Sequence, residues 1–266
     1  IDYTKVSGAQ TNFPVLINLS SDSSLAANTQ ADGDDILFTS SNGTTKIDHE
    51  IEKYTTATGE LVAWVEVPSL SSTVDTVLYL YYGNSAATSQ QNATGVWDTN
   101  FKGVWHLPDG TTLSVADSQG VSNGSNSGVT AGAGQIDGAG VFNGTNATIN
   151  FGDINTLDNI AAISASAWVK ITTQDGRVSS ILHKEQEANS RWSLSPSQTG
   201  IGGDNDILIL MGNGANTYGY TNADTLPLNT WTHVGFVFDG SQADNATRLK
   251  IYVNGVAKTV SYSGTI

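Results

Sequence analysis

The chain has no cysteine, one methionine and five prolines in 266 residues, and only 11 lysines and arginines against 25 aspartates and glutamates. Without cysteine there is neither a disulfide framework nor a thiolate metal site, and a chain of this length can build its core without such staples. The formal charge of −14 at pH 7 repels phosphate backbones and anionic lipid, so nucleic acid is not an expected partner. Apolar runs such as Val77 to Tyr82 fall far short of the roughly 20 residues of a membrane-crossing helix, and no membrane insertion is expected. The four histidines, His49, His106, His183 and His233, include no His-x-x-x-His pair that would seat zinc. Nucleophile elbow, phosphate-binding loop and dinucleotide fingerprint are all missing. Ile1 stands where a start methionine would, which suggests a processed chain, and abundant Ser, Thr, Asn and Gly with little Lys fits extracellular β-proteins.

What is present is β patterning. In Thr230–Gly240, Thr232, Val234, Phe236 and Phe238 alternate on one face, and Leu249, Ile251 and Val253 do the same in the next run. Asn254-Gly255 between apolar alternations fits a tight hairpin whose two central residues take positive φ. Toward the N-terminus, Phe13 to Leu19, Asp35 to Thr39, Lys46 to Tyr54, Leu61 to Val67 and Thr76 to Tyr82 read as short strands at sandwich spacing. Leu61, Ala63, Val65 and Val67 make a core face, with Val62, Trp64 and Glu66 on a mixed, half-covered one. Residues 84–102 are polar and read as a linker with a short helical turn. Further strands are expected near Ser164 to Thr172, Val178 to Lys184, Ser190 to Ser195, Asp206 to Met211 and Thr217 to Tyr220.

These segments carry two resemblances. NTWTHVGFVFDG followed by LKIYVNG, with ISASAWVK upstream and GVWHLPDG, VADSQGVSNGSNSG and IDGAGVFNGTNATINFGD before that, resembles laminin-G-like and pentraxin-like domains of the concanavalin A-type jelly roll. FPVLINL, ADGDDILFTSSNGTTKIDHEIEKY and GELVAWVEVPSLSSTVDTVLYLYYGN resemble a prokaryotic domain-of-unknown-function family found ahead of laminin-G-like domains in large secreted proteins. The implied architecture is all-β: two tandem β-sandwiches, residues 1–83 and a jelly roll over 103–266, joined by 84–102. In the resembled jelly rolls further strands follow the hairpin at Leu249 to Val260 and return beside the domain's first strand. This chain has no such segment before Ile266, so an open slot is expected, to be filled by chain beyond Ile266, by Ile1 to Val6, or by a neighbouring copy.

Candidate chemistry is sparse. Asp48, Glu50 and Glu52 share one strand face, and the reading as a solvated face is preferred to a catalytic dyad. The loop Asp32, Gly33, Asp34, Asp35 is the densest anionic cluster and a calcium candidate, although a Ca²⁺ ion needs six to eight oxygens. Asp204, Asp206, Asp239 and Asp244 are further candidates. Pentraxin-like relatives carry calcium on the loop after the strand matching Val178 to Lys184, which implies Glu187 and Asn189 as ligands here. Trp97 and Trp105 are expected to pack, with sugar stacking as the competing role. Together with Trp192, Tyr218 and Tyr220 they are the candidate ligand-binding aromatics.

The preferred function is an extracellular or cell-surface, non-catalytic module that recognises a glycan or a matrix polymer, a ligand class resting on fold analogy. A structural subunit of a surface filament, assembled by strand exchange between neighbouring copies through sheet edges, is the alternative. A polysaccharide-active enzyme is third, recognisable by paired carboxylates about 5 to 9 Å apart.

Overall fold

The structure, a computed structural model, describes the chain except residues 109–111, 174–178, 187–189, 198–200, 202, 204, 213–215 and 223. The chain forms two compact units, Ile1–Asp153 and Ile154–Ile266.

In the first unit the strands are β1 (Phe13–Leu19), β2 (Leu37–Ser40), β3 (Lys46–Ile47), β4 (His49–Thr55), β5 (Glu60–Val67) and β6 (Leu78–Tyr81). They form two antiparallel sheets ordered β1-β5-β4 and β3-β2-β6. Period-two alternation decides what lies between them. Leu61, Ala63 and Val65 of β5 are fully buried with Leu25, Ile36, Phe38 and Ile47. Truncating one of these large side chains to alanine should cost about 2–5 kcal/mol. The single expected run from Lys46 to Tyr54 is broken at Asp48 into β3 and β4, which belong to different sheets. A register shift between Ile51 and Lys53 makes Glu52 the extra residue of a β-bulge, so Ile51 and Tyr54 pack on the core while Glu50 and Glu52 stay on the other side. At the β4–β5 turn Gly59 has φ +66°, and a Cβ there would lie 1.9 Å from the Asp22 carbonyl oxygen. Only glycine fits.

The segment expected as a linker is tied to this unit. Asn92 N donates to His49 O (2.9 Å) and Ile51 N to Gln91 Oε1 (2.7 Å), and the expected helical turn is Ala93–Val96. Two small antiparallel ribbons follow, β7 (Ser125–Ser127) with β10 (Thr148–Asn150), and β8 (Thr130–Ala133) with β9 (Gly138–Val141).

The second unit holds β11 (Ala162–Val169), β12 (Leu182–Gln186), β13 (Ser190–Pro196), β14 (Ile207–Gly212), β15 (Asn216–Thr221), β16 (Thr232–Asp239), β17 (Leu249–Val253), β18 (Val256–Ala257) and β19 (Val260–Ser263). One sheet runs β11-β16-β17-β18 and the other β12-β13-β14-β15-β19. The alternation in β16 and β17 is realised: Thr232, Val234, Phe236, Leu249, Ile251 and Val253 are all buried. Their core partners across the sandwich include Leu194, Ile207 and Ile209. Asn254 (φ +50°) and Gly255 (φ +76°) form the expected hairpin turn. β11 pairs only with β16, so its other edge is open among the described residues. Ile1 to Val6, one expected filler of that slot, is instead a 3-10 turn in the first unit, where the Ile1 amine donates to Thr76 O (2.7 Å) and Tyr3 N to Asp75 (3.0 Å). Polar caps at Asp2 and Asp75 give it more bonds there than a free arm would have.

Candidate functional site

The densest set of ionisable and aromatic groups lies on the outer face of β4 and β5. The bulge aims Glu50 and Glu52 to the same side, and Trp64 stands directly across from Glu50. Over them lie the segments 92–106 and 117–122. His106 places Nε2 3.2 Å from Glu50 Oε2 and Nδ1 3.3 Å from Glu52 Oε1. Trp97 Nε1 donates to Glu50 Oε2 and Trp64 Nε1 to Glu52 Oε2, each at 2.7 Å, and Ser118 Oγ donates to Glu50 Oε1 at 2.7 Å. The Trp97 ring packs on Trp64 (5.1 Å) and Phe101 (5.0 Å). Loop 117–122 is shaped by the buried Asp117 carboxylate, which accepts backbone N–H from Val104, Gln119, Val121 and Ser122.

The expectation of a solvated acidic face is therefore corrected. Glu50 and Glu52 side chains are 13% and 8% exposed, because Trp97 from the segment expected as a linker, and His106 and Ser118 beyond it, cover them. Burial alone would depress His106, but its hydrogen bonds to Glu50 and Glu52 outweigh that and raise it to about 9. Burial would raise Glu50, yet the bonds from His106, Ser118 and Trp97 hold it below the usual carboxylate range. A proton-transfer group works best with a pKa near the working pH and an open partner position. Here an imidazolium is clamped by two carboxylates whose donors are already chosen. The cluster is a lock between β4 and the chain that covers it.

The candidate calcium ligands are likewise committed. Asp35 is buried and accepts from Gln30 N (2.9 Å) and Gly83 N (2.6 Å), one on each oxygen, while Asp32 Oδ1 caps Asp34 N. Among the described residues no three His, Asp or Glu side chains converge as a metal set. In the loop of Asp32, Asp34 and Asp35, both oxygens of Asp35 and one of Asp32 are turned to backbone N–H groups. Asp206 caps Gly203 N (2.8 Å) within the core, and Asp244 forms a capping box with Thr247. Glu187, Asn189 and Asp204 lie outside the described residues.

Of the aromatic candidates, Trp97 is 6% and Trp192 8% exposed. Trp192 sits in the core against Phe236 (5.9 Å), so neither indole offers a face to a sugar. Trp105 is half-buried, stacked on Phe151 at 3.9 Å with Nε1 donating to Ser122 O. Tyr218 and Tyr220 differ. They project from the outer face of β15, half-buried, with ring centroids 6.2 Å apart. Register places Leu210 and Ser263 beside Tyr218, and Leu208 and Ser261 beside Tyr220. Asn222 Nδ2 donates to Ser261 Oγ (3.0 Å) at the end of that row. A second tyrosine pair, Tyr79 and Tyr81 on β6, is 46% and 45% exposed. It went unremarked in the sequence, although alternation with the buried Phe38 partner Leu80 signals it.

Residues 143–265 match the concanavalin A-like lectin/glucanases superfamily. Residues 32–108 match a second family, described as Domain of unknown function (DUF2341). The order of the two is the order the sequence resemblances imply, and the protein is all-β with a jelly-roll unit at its C-terminal side. No curated protein and no solved structure matches the chain. The lectin-like match begins at Asn143, ahead of the compact second unit at Ile154. No helix among the described residues is long and apolar enough to cross a membrane.

Proposed function

We propose that the chain is a non-catalytic, extracellular glycan-binding module whose binding face is the outer side of the five-stranded sheet β12-β13-β14-β15-β19. The observation that carries this reading is the Tyr218–Tyr220 pair, two rings 6.2 Å apart on the sheet face of a lectin-type unit. Rings of this kind offer an apolar surface to the axial C–H groups of a sugar and a hydroxyl at the rim. Ser261, Ser263 and Asn222 supply small polar partners alongside.

A non-catalytic role is favoured over hydrolysis by the same rows. Glycoside hydrolysis in its common form needs two carboxyl groups facing one bond. Positions of β13, β14, β15 and β19 on this side include the buried Ser193, Ser195 and Leu208 and the half-buried Leu210, Tyr218, Tyr220, Ser261 and Ser263, with no acid among them. On β12 Glu185 is engaged by His183 (3.4 Å) and Arg191 (4.0 Å). A glycan array probed with the wild-type chain and with Tyr218→Ala/Tyr220→Ala tests the proposal. Specific binding by the wild type that disappears in the folded double variant is expected. Binding that survives the double variant unchanged, or none to any glycan, would overturn it.

A further inference from the structure

The open edge of the second unit has an occupant that its own sequence describes. Gly240 N donates to Ala161 O at 2.8 Å, one position before β11. Antiparallel ladders alternate, so odd residues of β11 bond to β16 and even residues turn their backbone outward. Ala162, Ser164, Ser166 and Trp168 are the even ones, all exposed. Each has one N–H and one C=O, giving eight groups, and none has a partner among the described residues. On the inner row Ile163, Ala165 and Ala167 reach the core yet remain only half-buried.

Folded proteins usually guard such edges with charge, proline, a bulge or shortness. The other edges of this unit do so: β12 carries His183, Lys184 and Glu185, β18 spans two residues and β19 four. β11 has eight residues, no charge, no proline and an unbroken register.

We propose that β11 is a docking edge for a second copy of this chain, paired antiparallel about Ala165 so that the four-stranded sheets of two copies become continuous. In that register Ser164 meets Ser166 and Ala162 meets Trp168, each in both directions, and these hydrogen-bonded pairs satisfy all eight open groups. Sizes match as well. The bulky Trp168 faces Ala162, Ile163 faces Ala167, and Ala165 meets its own copy on the two-fold axis. Lys170 follows the strand, and antiparallel pairing keeps the Lys170 side chains of the two copies at opposite ends of the contact, whereas parallel pairing superimposes them. The strand itself carries none of the chain's net charge of −14, so the contact line is free of that repulsion. This inference is independent of glycan binding.

Sedimentation of the full chain over a wide concentration range should show a monomer–dimer equilibrium. Ser166→Pro removes an N–H that β16 does not use, and should weaken the dimer about 10- to 100-fold by deleting two of its hydrogen bonds. Ser164→Lys/Ser166→Lys, on exposed positions, should do the same by opposing like charges if the proline perturbs folding. Because the chain has no cysteine, Ala165→Cys gives a clean further measurement. Facing Cα atoms about 4.5 Å apart are within disulfide reach, so oxidation should trap a covalent dimer, while Ser164→Cys, opposite Ser166, should form no covalent cross-link. A chain that remains monomeric at the highest concentration, a dimer indifferent to both edge variants, or equal cross-linking of the two cysteine variants would overturn the proposal.

Discussion

The outer face of β4 in the first unit and the outer face of β15 in the second are opposites in how they spend their chemistry. The first holds two glutamates, a histidine and two tryptophans, and every polar atom named there already has a partner within the unit. The second has two half-buried tyrosines among serines and leucines, and neither phenol has a hydrogen-bond partner among the described residues. A dense cluster of titratable groups is therefore not by itself a site. Groups that satisfy one another hold the fold, and groups left unsatisfied are those a ligand can use.

Breaking the first face should give the largest effect. Glu50→Ala leaves the buried His106 with one carboxylate and strips the acceptor from Trp97 and Ser118, so a loss of about 3–5 kcal/mol is expected in urea unfolding of the full chain. A cost below about 1 kcal/mol would mean that the cluster is not a lock.

The two histidines of the first unit should next separate in their pH dependence. His106 is raised to about 9 in the fold, so its contribution is complete below its ordinary value of 6.5 and is lost as pH rises through about 9. The loss is on the order of 3 kcal/mol, and Glu50→Gln should bring the alkaline limb to lower pH. His49 behaves in reverse. Burial in the core against Phe38 depresses it to about 4, so stability falls as pH drops below 6.5 and continues to fall until about 4. His49→Phe should flatten that acid limb, and thermal unfolding across the pH range measures both.

On the second face, Tyr218→Ala and Tyr220→Ala should each lower glycan affinity about 3- to 10-fold, the range of an aromatic contact of roughly 1 kcal/mol. The melting temperature should hardly move, because neither ring belongs to the core. The smallest effect belongs to the Asp32 to Asp35 loop. An ion held at 100 times its dissociation constant would add about 2.7 kcal/mol, and chelator is expected to produce no shift from this loop because both oxygens of Asp35 and one of Asp32 already accept backbone N–H groups.

Much of the fold was legible along the chain because period-two alternation is local. Leu61, Ala63 and Val65, or Val234, Phe236, Leu249 and Ile251, announce a buried face wherever their neighbours come from. Asn254-Gly255 names its turn because positive φ is tolerated by few residues. The site was less legible. Trp97, Trp192 and Tyr218 look alike as candidate platforms, and only packing separates two buried indoles from a half-exposed ring. The acidic strand misled for a related reason: alternation reveals which side chains share a face, and says nothing of what covers it.

The amino-acid sequence alone determined the all-β class, the order of the two domain types, the strand faces, and the absence of thiolate and paired-histidine chemistry, since each depends on residue type and short spacing. Tertiary structure alone decided that Trp97, His106 and Ser118 close over β4 and convert Glu50, Glu52 and His106 into a lock. It also decided that the edge left open among the described residues is that of β11. Both depend on contacts between residues far apart in the chain. Glu50 and Ser118 are 68 positions apart, and no local pattern encodes that meeting.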